Sequence, residues 1–549
     1  MIVIAGLATV TLSDCPVFAQ NNQEPPPPLA NPRPVVDSPS LGKTKALEQQ
    51  RPTESLTTPP EPYVAVPSPD IHAGQPLPNE NISAPADERG IKRAALLRLL
   101  QGGDMVLLDP DPNGPPTVTE PLTMTEAVAF ALKNNYGAQA AKAKTEGTRW
   151  ELVGGVGQYL PRIDYAYQTG KQNSAPSSTH TVTADGTFAV VPQSSQPYST
   201  RTLTLTQPVI DLSIISDILA RSYTLDAVAA DEVGSREKLA LDTITSFYRL
   251  IQARLSIGFV NNYKSALDRL AQRMRDRVSG GGASGVELDR ITGRSVSARS
   301  SELQARSEYQ AASVEFRRLT GVSPIKLSLP ESLMPSIPYN VEEVLTKALQ
   351  GNPDYLAAQL RTDAAIATSS KAFSAFFPKL SLQVASSQTY NNGGISQEIP
   401  AAVAPSAVYP KTTEKTIMAV FTWTLNGGVD FGQGMANAAY TRQASAAATD
   451  TRMRLEESVR VGFNALNSAN AQIEALGQAV QANTKVVGSF EEQYASGSRQ
   501  LLDLLDAYER LYQSQTELSR LLISEATAGF VIRRQMGELV PAILSTDEN

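Results

Sequence analysis

Two carboxylates and a guanidinium are crowded into the stretch Gly497–Ala507, GSRQLLDLLDA. Asp503 and Asp506 stand three positions apart, a spacing that puts both on one face of a helix, with Arg499 one turn before them. Tyr494 precedes the turn. Carboxylates with no histidine, cysteine or nucleophile beside them act through their field: they concentrate cations or pair with arginine. Bond-making chemistry has little to draw on elsewhere. The only histidines are His72 and His180 and the only cysteine is Cys15, so counting excludes a structural zinc site and a disulfide framework. Gly280-Gly281-Gly282 lacks the preceding strand and following Lys-Ser/Thr of a phosphate loop. No catalytic constellation, cofactor or metal is expected. The plainer reading of Asp503 and Asp506 is a solvated helix start, where the helix dipole favours aspartate.

The elements around this stretch give it a place. After it, Leu501, Leu505, Tyr508, Tyr512, Gln515, Leu518 and Leu522 recur at spacings of three and four, the period of a coiled-coil seam. Before it runs a proline-free helical pattern from about Gly428 to Tyr494. The stretch is therefore the tip of a long antiparallel helical hairpin. A related tip lies at Gly281–Asp289. It follows a helix over about 212–278, whose ~67 residues would span roughly 100 Å at 1.5 Å each. The helix returning from that tip ends near Leu319.

Ahead of each hairpin lies a helix, broken in the first case near Asn134-Asn135, and then a pair of alternating strands. Ile163, Tyr165 and Tyr167 face one way, and Arg162, Asp164 and Gln168 the other. The second strand covers Arg201–Thr206, with Pro208 expected to end it. The later pair covers Lys379–Tyr390 and Thr416–Leu425. Glu126, Ala131, Leu132, Asn135 and Pro161 reappear in step as Glu343, Ala348, Leu349, Asn352 and Pro378, and Phe247, Gly281 and Glu287 as Phe463, Gly497 and Asp503. The chain reads as a tandem repeat of helix–strand–strand–helix–helix. The first repeat covers 121–320, a Pro-rich linker 321–338, the second repeat 339–538 and a C-terminal tail 539–549.

The N-terminal part differs. An apolar run ending in Val17-Phe18-Ala19 resembles a signal peptide over 1–19, although no Lys or Arg precedes the run, and Asp14 argues against lipidation at Cys15. Residues 20–120 form a Pro-rich extension expected to be largely disordered, with a short helix near 91–100. The net charge of −7 argues against nucleic acid as a partner. No stretch after the leader has the ~18 apolar residues of a membrane-spanning helix.

Strands of about ten alternating residues match transmembrane β-strands. Four cannot close a barrel, and an open edge in lipid leaves backbone groups unpaired at several kcal/mol each, so the chain must oligomerise. Two copies would give about eight strands with a filled interior; three would give about twelve and a lumen. Trp423 and Tyr167 fit an interfacial aromatic girdle. The bland alternative is a soluble helical bundle with small hairpins.

The motifs YLPRIDY and FFPKLSL at the odd strands, LTLTQPVID at 203–211, and the tips RVSGGGASGVELD and YASGSRQLLDLLDA occur in order at one repeat offset. Over about 120–538 the chain resembles the TolC family of outer membrane efflux proteins. The resemblance implies a mainly α fold with transmembrane β: a homotrimeric 12-stranded outer-membrane barrel continued by a long periplasmic α-helical barrel with an equatorial belt. It implies an exit duct in the outer membrane, docking through a periplasmic adaptor (membrane fusion) protein on an inner-membrane pump or ABC transporter. It also implies a periplasmic gate. Asp503 and Asp506 would form acidic rings, and Tyr494 and Arg499 would tie the second tip to the first, with Glu287 as the acceptor in place of the family's aspartate. The extension before residue 120 lies outside the resemblance, and TWTLNGG lacks the proline of its counterpart TQPVIDL. The load, small molecules or a polypeptide of a type I secretion system, stays open. The rival readings are a periplasmic adaptor and a coiled-coil structural or adhesin protein.

Overall fold

The computed structural model describes residues 86–101, 105–106, 117–118, 120–174, 180–182, 188–190, 194–330, 332–338, 340–391 and 411–544. The expected signal peptide, Cys15, His72 and most of the Pro-rich extension lie outside the described residues, as do 392–410 and the last five residues.

In chain order the elements begin with helix α1 (Ala86–Gln101) and two short strands, β1 (Met105–Val106) and β2 (Thr117–Val118). Helices α2 (Met124–Asn134) and α3 (Tyr136–Gly157) follow, then β3 (Arg162–Ser174), the small hairpin β4 (His180–Val182) and β5 (Phe188–Val190), and β6 (Ser194–Ile210). The long hairpin is α4 (Leu212–Ser279) and α5 (Gly285–Thr320). Strands β7 (Ser323–Pro324) and β8 (Lys326–Leu327) lead into α6 (Val341–Gly351), α7 (Pro353–Phe373), β9 (Lys379–Asn391), β10 (Lys411–Thr422), α8 (Gly428–Ala495), α9 (Leu501–Gln535) and α10 (Leu539–Leu544).

Side-chain caps set the boundaries. Thr123 and Glu126 form a capping box at the start of α2. Asn135 ends α2 and caps α3 by accepting from the Gly137 amide at 2.8 Å. Asn352 does the same between α6 and α7, accepting from Tyr355 at 3.0 Å, with Pro353 in the first turn, where its missing N–H costs nothing. Both asparagines also reach back to the end of a returning helix: Asn135 donates to the Leu319 carbonyl at 3.2 Å, and Asn352 to that of Gln535 at 3.0 Å. Those helices stop at Gly321 and in the turn at Gly537, both left-handed (φ 76° and 72°). Helices α4 and α8 are each 68 residues long, roughly 100 Å at 1.5 Å per residue.

Four strands make one antiparallel sheet in the order β10-β9-β6-β3. Its register sorts the side chains cleanly. Ile163, Leu205, Val384 and Ile417 line up across all four strands on one face, with Tyr165 and Leu203 beside them and Leu382, Leu380 and Phe421 on the other side. This face is open: Ile417 is 76 % exposed and Phe421 and Tyr165 are each 65 % exposed. The opposite face carries Thr200, Thr202, Thr204, Thr206, Ser387 and Thr389, with hydroxyl pairs Thr200–Thr389 and Thr202–Ser387 at 3.4 Å.

Strands β6 and β10 differ in their limits from the sequence expectation, β6 covering Ser194–Ile210 instead of Arg201–Thr206. Pro208 does not end β6. The partner β3 stops at Arg162, opposite Thr206, so beyond that point β6 has a neighbour only in β9, and a residue without an N–H is tolerated there, with a register shift between Pro208 and Ile210. Strand β10 runs from Lys411 to Thr422, earlier than the expected 416–425, because its partner β9 starts at Lys379, just after Pro378.

The main core lies where the repeats meet. Phe247, Tyr248, Phe316 and Phe530 pack with Leu333 of the linker, and the Tyr248 hydroxyl donates to the Leu333 carbonyl at 3.0 Å. Helix α1 belongs to this core through Ala94 and Leu97, and β1 pairs with β8 and β2 with β7. The start of α10 sits on buried Glu237, whose carboxylate accepts from the Leu539 and Val540 amides, each at 3.1 Å.

Candidate functional site

The two hairpin tips are built alike. The Gly282 amide donates to the Arg277 carbonyl at 2.8 Å, and that of Ser498 to Gln493 at 2.9 Å. Gly281 and Gly497 between them take φ values of 74° and 79°. This is the six-to-one closure of a helix on a left-handed residue, and a Cβ at either position would be strained. Ser284 caps α5 through the Val286 amide, whereas Gln500 gives α9 no side-chain cap. Below the turns, Leu270, Met274, Ile291, Leu504, Leu505 and Tyr508 form a small separate core that holds the tips together.

Charges surround that core. Asp506 is approached by Arg294 of α5, with an Nη2–Oδ1 distance of 3.4 Å, and the same guanidinium bonds Glu509. One cation of the first hairpin thus spans two carboxylates of the second. Asp503 is met at 3.5 Å by Arg499. Tyr494 is buried beneath Arg277 of α4, 5.4 Å from guanidinium to ring centroid. Burial holds the Tyr494 phenol above its ordinary value; Arg277 works against this and the nearby Glu287 with it. The Tyr508 hydroxyl donates to Glu491, and burial together with that bond raises its pKa as well.

The expected ties are arranged differently. Arg499 does not reach the first hairpin: it donates to Gln493 at 3.2 Å, pairs with Asp503 and lies 4.0 Å over the Phe490 ring, all within its own tip. Glu287 accepts from neither Tyr494 nor Arg499 in any hydrogen bond among the described residues; it acts on Tyr494 only through its charge. The Arg499 guanidinium is taken up by the nearer Phe490 ring and Gln493 amide oxygen. The cross-hairpin contacts come instead from Arg277 and Arg294, which the sequence reading did not single out. Their signal was faint, since each is one arginine among many on a long polar helix face. Among the described residues, no cluster of three or more His, Cys, Asp or Glu could hold a metal ion. No described helix is long and apolar enough to cross a membrane.

Comparison with known proteins follows the same geometry. Residues 344–537, from α6 to the end of the second hairpin, match the family model described as "Outer membrane efflux protein". Over 440 residues the chain is 24 % identical to the alkaline protease secretion protein AprF of Pseudomonas aeruginosa, covering 77 % of this chain and 86 % of that one. Over 320 residues it is 22 % identical to the outer membrane protein TolC of Escherichia coli, covering 58 % and 65 %. Among solved structures, the Campylobacter jejuni CmeC outer membrane channel superposes with a TM-score of 0.65 at 15 % identity, over 76 % of this chain and 86 % of that one. The Vibrio cholerae outer membrane protein VceC superposes with a TM-score of 0.63 at 17 % identity, over 75 % and 96 %.

Proposed function

We propose, since this chain is a TolC-family protein of the outer membrane, that three copies form its exit duct, each giving four strands to a twelve-stranded barrel and two helical hairpins to a periplasmic tube. The observation that carries this is the sheet. One face is apolar and exposed, the other is a field of threonine and serine, and both edges, β3 and β10, lack a partner strand among the described residues. Hydrocarbon tolerates the first face, an aqueous lumen suits the second, and the edges need strands from other copies. The recurrence from α2–α5 to α6–α9 is read as a tandem duplication of 121–320 in 339–538.

The tips act as a periplasmic gate. Three copies of Asp503 and of Asp506 make two acidic levels that draw cations into a narrow mouth. Arg294 and Arg277 fasten the second hairpin to the first. Exposed ties of this kind contribute about 0–1 kcal/mol each, enough to bias a closed state yet weak enough for a docking partner to overcome. That partner is a periplasmic adaptor carrying an inner-membrane pump or ABC transporter. The match to a protein named for alkaline protease secretion favours a secreted polypeptide over small molecules as the load. Planar-bilayer recordings of the purified trimer test the duct: discrete, cation-preferring conductance steps are expected. A monodisperse monomer in detergent that never raises bilayer conductance would refute it and return the adaptor and adhesin readings to the front.

A further inference from the structure

The apolar face of the sheet does not stay apolar to its end. At the level of Tyr165 and Leu203, the strand-paired residue on β10 is Lys415. One step further from the helices comes the row Tyr167, Arg201 and Gln388, and the next holds Tyr390 opposite Lys411. Lys171 continues the same face on β3. Two of these cations touch rings on the same side of the sheet: Arg201 lies 5.6 Å from the Tyr167 centroid and 5.8 Å from that of Tyr390, and Lys411 lies 5.5 Å from Tyr390. The carboxylates of the sheet, Asp164 and Glu414, both fall on the opposite, hydroxyl-rich face. The cations on that face, Arg162 and Lys379, sit at the helix end of the strands, Arg162 paired with Asp164 at 2.8 Å, whereas the sheet cations further from the helices all lie on the apolar side.

The spacing along the strand is informative. From Trp423 to Lys415 is eight residues, roughly 26 Å of strand at ~3.3 Å each, or about 20 Å along the membrane normal at the ~40° tilt of barrel strands. That is close to the apolar height such barrels present to lipid. The cations begin where hydrocarbon would end, on the side away from the helices. Resting on the barrel reading above, we infer that Arg201, Lys411 and Lys415, with the tyrosines as a platform, bind the phosphate groups of an anionic lipid in the outer leaflet. Ammonium and guanidinium groups supply the charge-assisted donors. The rings take the sugar or acyl part of the lipid at the interface.

The test uses the full-length protein in nanodiscs of phosphatidylcholine doped with lipid A, a bisphosphorylated glycolipid, and reads by mass spectrometry the lipid A and phosphatidylcholine retained per protein after delipidation. Wild type is expected to retain lipid A, and R201Q/K411Q/K415Q to bind it about 100-fold more weakly, as three charges near an anionic surface would suggest. E414Q, on the other face, is expected to match wild type. Equal retention by the triple variant, or no preference over phosphatidylcholine, overturns the site. Displacement by millimolar inorganic phosphate would mark a soluble-anion site and also overturn it. A protein that conducts but shows no preference sinks only this inference; one that never enters the nanodisc sinks the barrel reading.

Discussion

Arg93 and Glu525 are buried against each other: the Arg93 Nε donates to Glu525 Oε2 at 3.0 Å, and the glutamate side chain has no exposed surface. The pair joins α1 to α9, and Arg93 also donates to Asn470 Oδ1 at 2.8 Å, reaching α8. The other carboxylate oxygen, Oε1, has no hydrogen-bond partner among the described residues. Burial raises the Glu525 pKa above its ordinary 4.5, and Arg93 only partly offsets this. The folded state therefore holds the proton more tightly than the unfolded one. The group's contribution to stability is fully present below about pH 4.5 and declines as pH rises through the folded pKa. Thermal melts of E525Q and wild type in detergent should differ more, in favour of E525Q, at pH 8 than at pH 5. R93A should lose about 3–5 kcal/mol at pH 8, because it strands a buried charge, and less under acid conditions.

Arg294 holds two carboxylates of the neighbouring hairpin, while Arg499 holds only its own. R294A is therefore expected to raise channel open probability by up to about fivefold, in line with the loss of ~1 kcal/mol of exposed pairing. R499A should change it less. Equal effects in single-channel recordings would show that Arg294 does not bridge the gate.

Asp503 and Asp506 are half-exposed at the mouth of the tips. D503N/D506N should weaken block by multivalent cations about tenfold or more, while leaving trimer melting nearly unchanged. Unaltered block would remove the acidic rings from the mechanism.

Gly537 offers a stability test far from the pore mouth. It adopts φ +72°, and a Cβ there would lie 2.1 Å from the Gly351 carbonyl oxygen. Gly497 has a similar φ but open space around it. G537A should thus lower the melting temperature clearly more than G497A, whose penalty is the backbone term of about 1 kcal/mol alone. N352A should also destabilise by about 1–2 kcal/mol through loss of the helix cap.

What the residues revealed in advance was periodic. Helices as long as α4 and α8 announce themselves by the absence of proline and by seams such as Leu501–Leu505–Tyr508, and the strands by alternation such as Ile163–Tyr165–Tyr167. The break near Asn135 was equally visible, since an asparagine caps within a few residues of itself; Asn352 stood out only as its counterpart in the repeat. Harder to see were contacts between distant segments. Nothing near Arg93 points to Glu525, and nothing in α5 marks Arg294 as the residue that meets Asp506. Pro208 misled because its tolerance depends on where another strand, β3, runs out.

The bare rims of β3 and β10 bear on timing as well as architecture. A solitary protomer meeting the bilayer would bring two rows of unsatisfied amides into oil, so entry should wait for company. Refolding into vesicles is then expected to accelerate more steeply than linearly with protein concentration, and a variant unable to find its neighbours should linger in water, its long helices already formed.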